Sequence, residues 1–369
     1  MPEAAGPERS IPAAPVPFRL GYAPELDGLR GVAIAAVMVY HAYEPWLRGG
    51  LIGVDIFFAL SGYLITALLI QEFDATGQIR LKAFYLRRVL RLFPALLLLL
   101  LIFCLASVLI LGISGARTQL TDALIALFYS TNWARALRLH PPYFLCHTWS
   151  LSIEEQFYLL WPPLLLLLLR HSRSRWTSVR VALAIALCAW ALRSYLGLTG
   201  ATIMRLSNGL DTRADSLMVG CVLGIIVASN LIPPSLQKSI ARFCYFASPC
   251  SLLLLLAISV VSGWRDPLMY YAWLFLIPIL TGIIILDCRL NPASLVKRFL
   301  SLKGLVWVGT ISYGLYLWHY PIYTAMWRSG YGWIEVTTLG TVITFFVTTA
   351  SYRFLEQPFL RWKKKLAVG

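Results

Sequence analysis

Ten separated apolar stretches, each about the length of a bilayer-crossing helix, constrain this chain more than any other feature it has. They fall at about 29–46, 51–71, 93–113, 149–169, 179–197, 209–228, 243–262, 268–287, 304–327 and 333–355. A bilayer core takes roughly 20 mostly apolar residues as a helix. Inside lipid every backbone N–H and C=O must find a partner within the protein, so runs of this kind fold as helices. The expected fold class is all-α, a polytopic transmembrane helix bundle with about ten spans. A further apolar segment around 119–133 is short and reads as interfacial or re-entrant. Composition leaves little room for a soluble reading. Only 13% of residues are charged, against about 25% in soluble domains.

Charge placement orients the bundle. With the first residues cytoplasmic, 21 of the 32 Lys and Arg fall in inside segments and 7 in outside ones, the bias expected of cytoplasmic loops. The chain therefore reads as a multi-pass protein of the cytoplasmic membrane with both termini inside. Residues 1–24, rich in Pro and Ala, read as a disordered cytoplasmic tail without a signal-peptide core. Residues 25–360 form the transmembrane domain, and 361–369 a basic cytoplasmic tail. The net charge of +15 belongs to these loops, so nucleic acid is not an expected partner. Seven cysteines show no C-x-x-C pair and read as small buried hydrophobes, so no metal site is expected.

Ionisable groups inside spans cost about 2.5–3.5 kcal/mol each on insertion scales, which makes each a functional candidate. The first span carries Arg30 and His41, eleven residues apart. That is three turns, so both project from one face about 16 Å apart. A neutral His41 in an apolar setting suits the acceptance of a hydroxyl proton; packing against a carbonyl is the alternative. Asp55 on the next span either orients that imidazole or caps the helix start. Gly53 and Gly62 allow close helix approach. Downstream, Arg80, Lys82, Arg87, Arg88 and Arg91 crowd a dozen residues. Guanidinium groups suit phosphate, so Arg87, Arg88 and Arg91 are the candidate binding set, and Pro94 then opens the next span. Glu154 and Glu155 enter the fourth span, with Arg213 and Asp215 as expected partners. His319 reads as structural, flanked by interface-type Trp318 and Tyr320.

In the blocks that hold these residues, the sequence resembles the acyltransferase 3 family of membrane-bound acyltransferases. The blocks are ELDGLRGVAIAAVMVYHA, GLIGVDIFFALSGYLIT, FYLRRVLRLFPAL, TWSLSIEEQFYLLWP, DTRADSLMVGCVLG, ISYGLYLWHYPI and FLEQP. The family's Arg–ten residues–His pattern maps onto Arg30 and His41, and its R-x-x-R onto Arg88 and Arg91. The resemblance implies ten spans and a cytoplasmic acyl-CoA donor, often acetyl-CoA. It also implies O-acylation of a carbohydrate or other hydroxyl acceptor at the cell surface. Some members add an extracytoplasmic hydrolase-like domain; this chain reads as a stand-alone member.

The expected function is a membrane O-acyltransferase with acyl-CoA as co-substrate and no bound cofactor. His41 takes the acceptor proton, and Asp55, Glu154 or Glu155 steadies the imidazolium. The acceptor enters near the loop 114–148, with Trp133 and Tyr143. No G-x-S-x-G elbow, Walker loop or H-E-x-x-H is present, which leaves a covalent serine route without support. The rival is a transporter or flippase of a lipid-linked sugar, because buried charges also mark substrate pathways. That reading favours repeated halves, and none is visible. A non-catalytic scaffold would leave the buried His and Glu without a reason.

Overall fold

The computed structural model describes residues 18–359 and 361, and among them no strand occurs. The first part of the chain forms α1 (Pro24–Ala42), α2 (Gly53–Thr76), α3 (Leu81–Gly115), and the short α4 (Arg117–Leu127) and α5 (Thr131–Ala136). The middle forms α6 (Trp149–His171), α7 (Arg175–Leu198), α8 (Ile203–Asn208), α9 (Leu210–Ala228) and α10 (Pro234–Val261). The last part forms α11 (Leu274–Leu290), α12 (Leu295–Leu300), α13 (Lys303–Thr310), α14 (Ser312–Arg328), α15 (Trp333–Glu335) and α16 (Thr341–Ser351). Single π-turns at Met269–Trp273 and Val336–Gly340 join directly onto α11 and α16.

Among the described residues, six helical stretches are long and apolar enough to cross a membrane: Gly50–Thr76, Leu81–Gly115, Arg175–Leu198, Pro234–Val261, Met269–Leu290 and Trp333–Phe359. The other four expected spans are helical too, on α1, α6, α9 and α13–α14. They are shorter, interrupted, or the carriers of the internal charges, and the expected 304–327 span is split at Ile311. Outward-facing Leu109, Ile110, Ile113, Phe346 and Phe354 stay exposed, a surface that soluble monomers do not display on this scale. The apolar window of α2 is 67% buried while those of α3 and α7 are 22% buried, so α2 is central and the other two are peripheral. The chain is an integral membrane protein.

Two expectations need correction. The basic segment and the third span are not separate elements, because α3 runs through Pro94 without a break until Gly112 adopts φ 69°. The segment 119–133, read as interfacial or re-entrant, forms the end of α4 and most of α5, helices of 11 and 6 residues, and neither reaches across a bilayer core. Residues 18–20, assigned to the tail, are packed: Leu20 N–H donates to Gln71 and Arg289 donates to the carbonyls of Arg19 and Leu20. Residues 1–17, 360 and 362–369 lie outside the described residues. Of the cysteines, Cys221, Cys244 and Cys288 are buried, whereas Cys188 and Cys250 are exposed.

Prolines inside the helices also organise the packing. A helical Pro cannot bond the carbonyl four residues back, and in lipid that carbonyl needs another donor. Pro163 frees the Leu159 carbonyl, taken by the Tyr85 hydroxyl of α3 at 3.1 Å. Pro278 frees that of Leu274, which Ser216 of α9 approaches at 3.3 Å. Pro321 frees that of Leu317, taken by His147 Nε2–H at 3.1 Å. Each broken bond thus becomes a cross-link between elements. Close approach adds to this: a Cβ on Gly62 of α2 would lie 2.0 Å from the Leu217 carbonyl oxygen of α9, and one on Gly53 2.3 Å from that of Ala33 on α1.

Candidate active site

The first helix works as a ruler. Arg30 and His41 lie on one side of α1, and each lines a different cavity. Eleven residues at 1.5 Å per residue separate their Cα atoms by about 16 Å along the axis. The first cavity, about 230 Å³, collects Arg30 from α1, Ser61 from α2, Arg88 and Arg91 from α3 and Glu154 from α6. The second, about 420 Å³, is lined by His41 and the rings of Tyr40, Tyr43, Tyr143, Tyr320 and Trp327.

In the arginine cavity the cations are held by different means. Arg88 donates to Glu155 at 2.8 Å, and its guanidinium carbon lies 3.2 Å from the centre of the Tyr158 ring. A guanidinium clamped by both a carboxylate and an aromatic face keeps a fixed orientation. Arg30 is paired with Asp27 at 3.1 Å. Arg91 has no carboxylate partner among the described residues, which leaves the cavity with an uncompensated positive group. Glu154 accepts from the Ser61 hydroxyl and, at 3.3 Å, from the Tyr158 hydroxyl. This arrangement suits an anion with several oxygens, such as a phosphate.

In the histidine cavity the His41 ring is held edge-on to Tyr40 and Tyr320, with centroids 5.0 and 4.9 Å away. Its Nδ1 lies 3.0 Å from Nε2 of His319 on α14. His319 is fully buried, and its own Nδ1 lies 2.9 Å from the Leu315 carbonyl oxygen. The two cavities share no lining residue. Between them stands Tyr316, which lines the arginine cavity and whose ring centre is 5.6 Å from those of both His147 and His319. Its hydroxyl donates to the His147 carbonyl at 2.8 Å and accepts from Ser150 at 2.6 Å. Arg30 and His41, on one face of α1, are therefore separated by a tyrosine-centred layer.

Several candidates sit elsewhere than the sequence suggests. Asp55 neither orients His41 nor caps α2: it binds Arg213 at 2.8 Å and Ser216 at 2.9 Å, fully buried. Its pull toward α9 follows from the Gly62 crossing, which brings those helices within reach. Asp215 is paired with Arg193 at 2.6 Å rather than with a glutamate. Glu154 and Glu155 serve the arginine cavity, not the imidazole, because α6 packs beside the α3 arginines. Arg87 turns away from the cavity toward Glu72 at 3.8 Å, and Arg30 takes its place. Trp133 lies beneath the Arg205 guanidinium at 5.6 Å, so of the two aromatic residues expected at an acceptor entrance only Tyr143 lines the cavity. The sequence reading took His319 as structural and did not name Tyr316, Ser150, Ser61 or Tyr158. A signal existed for His319: an imidazole inside an apolar helix is costly.

An acyltransferase-domain profile of the acyltransferase 3 family matches residues 24–353. The peptidoglycan O-acetyltransferase OatA of Listeria monocytogenes is 33% identical over 91% of this chain and 56% of its own length. The O-acetyltransferase OatA of Staphylococcus aureus is 34% identical, with 91% and 57% covered. The putative peptidoglycan O-acetyltransferase YrhL of Bacillus subtilis is 33% identical, with 91% and 55% covered. The chain thus spans just over half the length of these curated relatives. No solved structure matches it. Two cavities joined by one Arg–His helix, in a chain matched from Pro24 to Arg353, place this protein in the acyltransferase 3 family.

Proposed function

We propose that this protein is a membrane O-acyltransferase that carries an acyl group, acetyl by analogy with its relatives' names, from acyl-CoA to a hydroxyl of a cell-wall carbohydrate. The observation that carries the reading is the division of α1 between a guanidinium cavity and an imidazole cavity. The bundle crosses the cytoplasmic membrane ten times with both termini inside, as the Lys and Arg bias supports. The arginine cavity then faces the cytoplasm, where Arg88 and Arg91, with Arg30, hold the donor's phosphates. The histidine cavity faces outward, and its tyrosine and tryptophan rings offer the flat apolar faces on which sugar rings stack.

The reaction needs both cavities at once. The acceptor oxygen attacks the thioester carbonyl as His41 takes the hydroxyl proton. The new C–O bond forms, the C–S bond breaks, and the thiolate leaves with the proton that His41 held. The thioester must pass the Tyr316 layer to reach His41, so that layer moves during turnover. Family membership does not favour the flippase reading.

The test uses the protein in lipid nanodiscs with radiolabelled acetyl-CoA and a soluble peptidoglycan oligosaccharide. Label should move to the sugar as an ester, and His41→Ala should block that movement while the protein stays inserted. A folded His41→Ala variant that transfers at the native rate would remove His41 from the chemistry.

A further inference from the structure

We propose that His319 is a positioning residue that selects which nitrogen of His41 receives the acceptor's proton; the role rests on His41 acting as the base. The argument is one of hydrogen-bond roles. A backbone carbonyl only accepts, so the 2.9 Å contact from His319 Nδ1 to the Leu315 oxygen places the hydrogen on that nitrogen. A neutral imidazole carries one N–H and one lone pair, so His319 Nε2 is an acceptor. His41 Nδ1, 3.0 Å from it, is then the donor, and the Val37 carbonyl, the ring's backbone hydrogen-bond partner, is likewise only an acceptor. The lone pair of His41 falls on Nε2, on a residue that lines the histidine cavity.

The packing makes this assignment rigid. His319 is fully buried. Tyr323 meets its ring edge-on with centres 5.8 Å apart, and the Tyr316 ring lies 5.6 Å away on the side of the arginine cavity. The ring cannot turn over without giving up the Leu315 bond and burying an unpaired N–H. Histidine-based catalysis more often uses a carboxylate at this place. Here Asp55 is committed to Arg213, Glu155 to Arg88 and Glu154 to Ser61, and Glu44, which lines the histidine cavity, is not the hydrogen-bond partner of the imidazole, which is His319. A neutral acceptor fixes the tautomer without placing an anion at this depth, and when His41 is protonated its Nδ1–H bond to His319 becomes charge-assisted.

The test compares His41→Ala, His319→Leu and His319→Gln in nanodiscs, measuring kcat for transfer, acetyl-CoA Kd and thermal stability. Losing an orienting partner typically costs about 10–100-fold, and His319→Leu should lower kcat by that much with Kd unchanged. In His319→Gln the amide oxygen stands near the position of Nε2 and accepts from His41, so most of the loss should be restored. Native kcat in His319→Leu beside a dead His41→Ala overturns the positioning role alone. Equal loss in folded Leu and Gln variants overturns it as well. An active His41→Ala removes the base reading and the positioning role together. Should His319→Leu not fold, the ¹⁵N histidine spectrum of the native protein decides. A protonated Nδ1 and bare Nε2 on His41 supports the proposal, and the opposite tautomer overturns it.

Discussion

The two cavities toward the ends of α1 are built from different chemistry, and the contrast shows how one helix can present a cation to one site and an imidazole to another. The arginine cavity is polar throughout its charged lining, and almost every cation has a local partner: Arg30 with Asp27, Arg88 with Glu155. The histidine cavity has one imidazole surrounded by aromatic rings, with a second imidazole as its partner. The first arrangement suits a highly charged ligand entering from water. The second suits a ligand with hydroxyls and flat apolar faces, and keeps its base neutral. A third group, the buried pairs Asp55–Arg213 and Arg193–Asp215, belongs to neither cavity and holds the helices that frame them.

The sharpest way to break this division is at His41. General-base assistance is worth about 10²–10⁴ in rate, so His41→Ala should lower kcat by that factor and leave acetyl-CoA Kd unchanged. A matching loss of donor binding would mean that the cavities are not separate in function. Next in size comes the structural pair. Removing one partner of a buried ion pair costs on the order of 3–5 kcal/mol, so Asp55→Ala should show mainly in the melting temperature and yield of inserted protein. A purely kinetic defect, with native stability, would move Asp55 into the catalytic group.

Arg91→Ala tests the other cavity with little structural disturbance, because no carboxylate is left unpaired. One charge-assisted contact contributes about 1.5–3 kcal/mol. The variant should weaken acetyl-CoA binding tenfold or more in isothermal titration, with kcat near native at saturating donor. Arg87→Ala is the smallest expected effect. Its contact with Glu72 is long and partly exposed, and exposed pairs are worth about 0–1 kcal/mol, so donor affinity should hold within severalfold. Were Arg87→Ala to match Arg91→Ala, the donor site would extend further along α3 than the cavity does.

How much of this was legible varies residue by residue. Arg30 and His41 share a face because helical periodicity dictates it once the span is recognised. Arg88 and Arg91 reach one cavity for the same reason. Arg87, adjacent in sequence, could not be separated from them, since its orientation depends on where Glu72 ends up. Partnerships were the weak point. Glu154 and Glu155 were expected beside Arg213 on the assumption of equal depth, whereas the contact is set by α3 lying against α6. Pro321 was visible as a helix breaker, but nothing local says that His147 fills the vacancy.

By itself, the sequence determined that this chain is helical and lives in lipid, because hydrophobic length and the need to satisfy backbone groups act within each segment. It also pointed to some of the buried charges, Asp55, Arg213 and Asp215 among them, because they stand out against apolar runs, but not to Arg193 or Asp287. Only the tertiary structure decided which charge meets which, that two cavities exist rather than one passage, and that the imidazole of His41 rests on another imidazole. These depend on the lateral order, depth and rotation of helices, which are set by glycine crossings and by proline-freed carbonyls from distant parts of the chain.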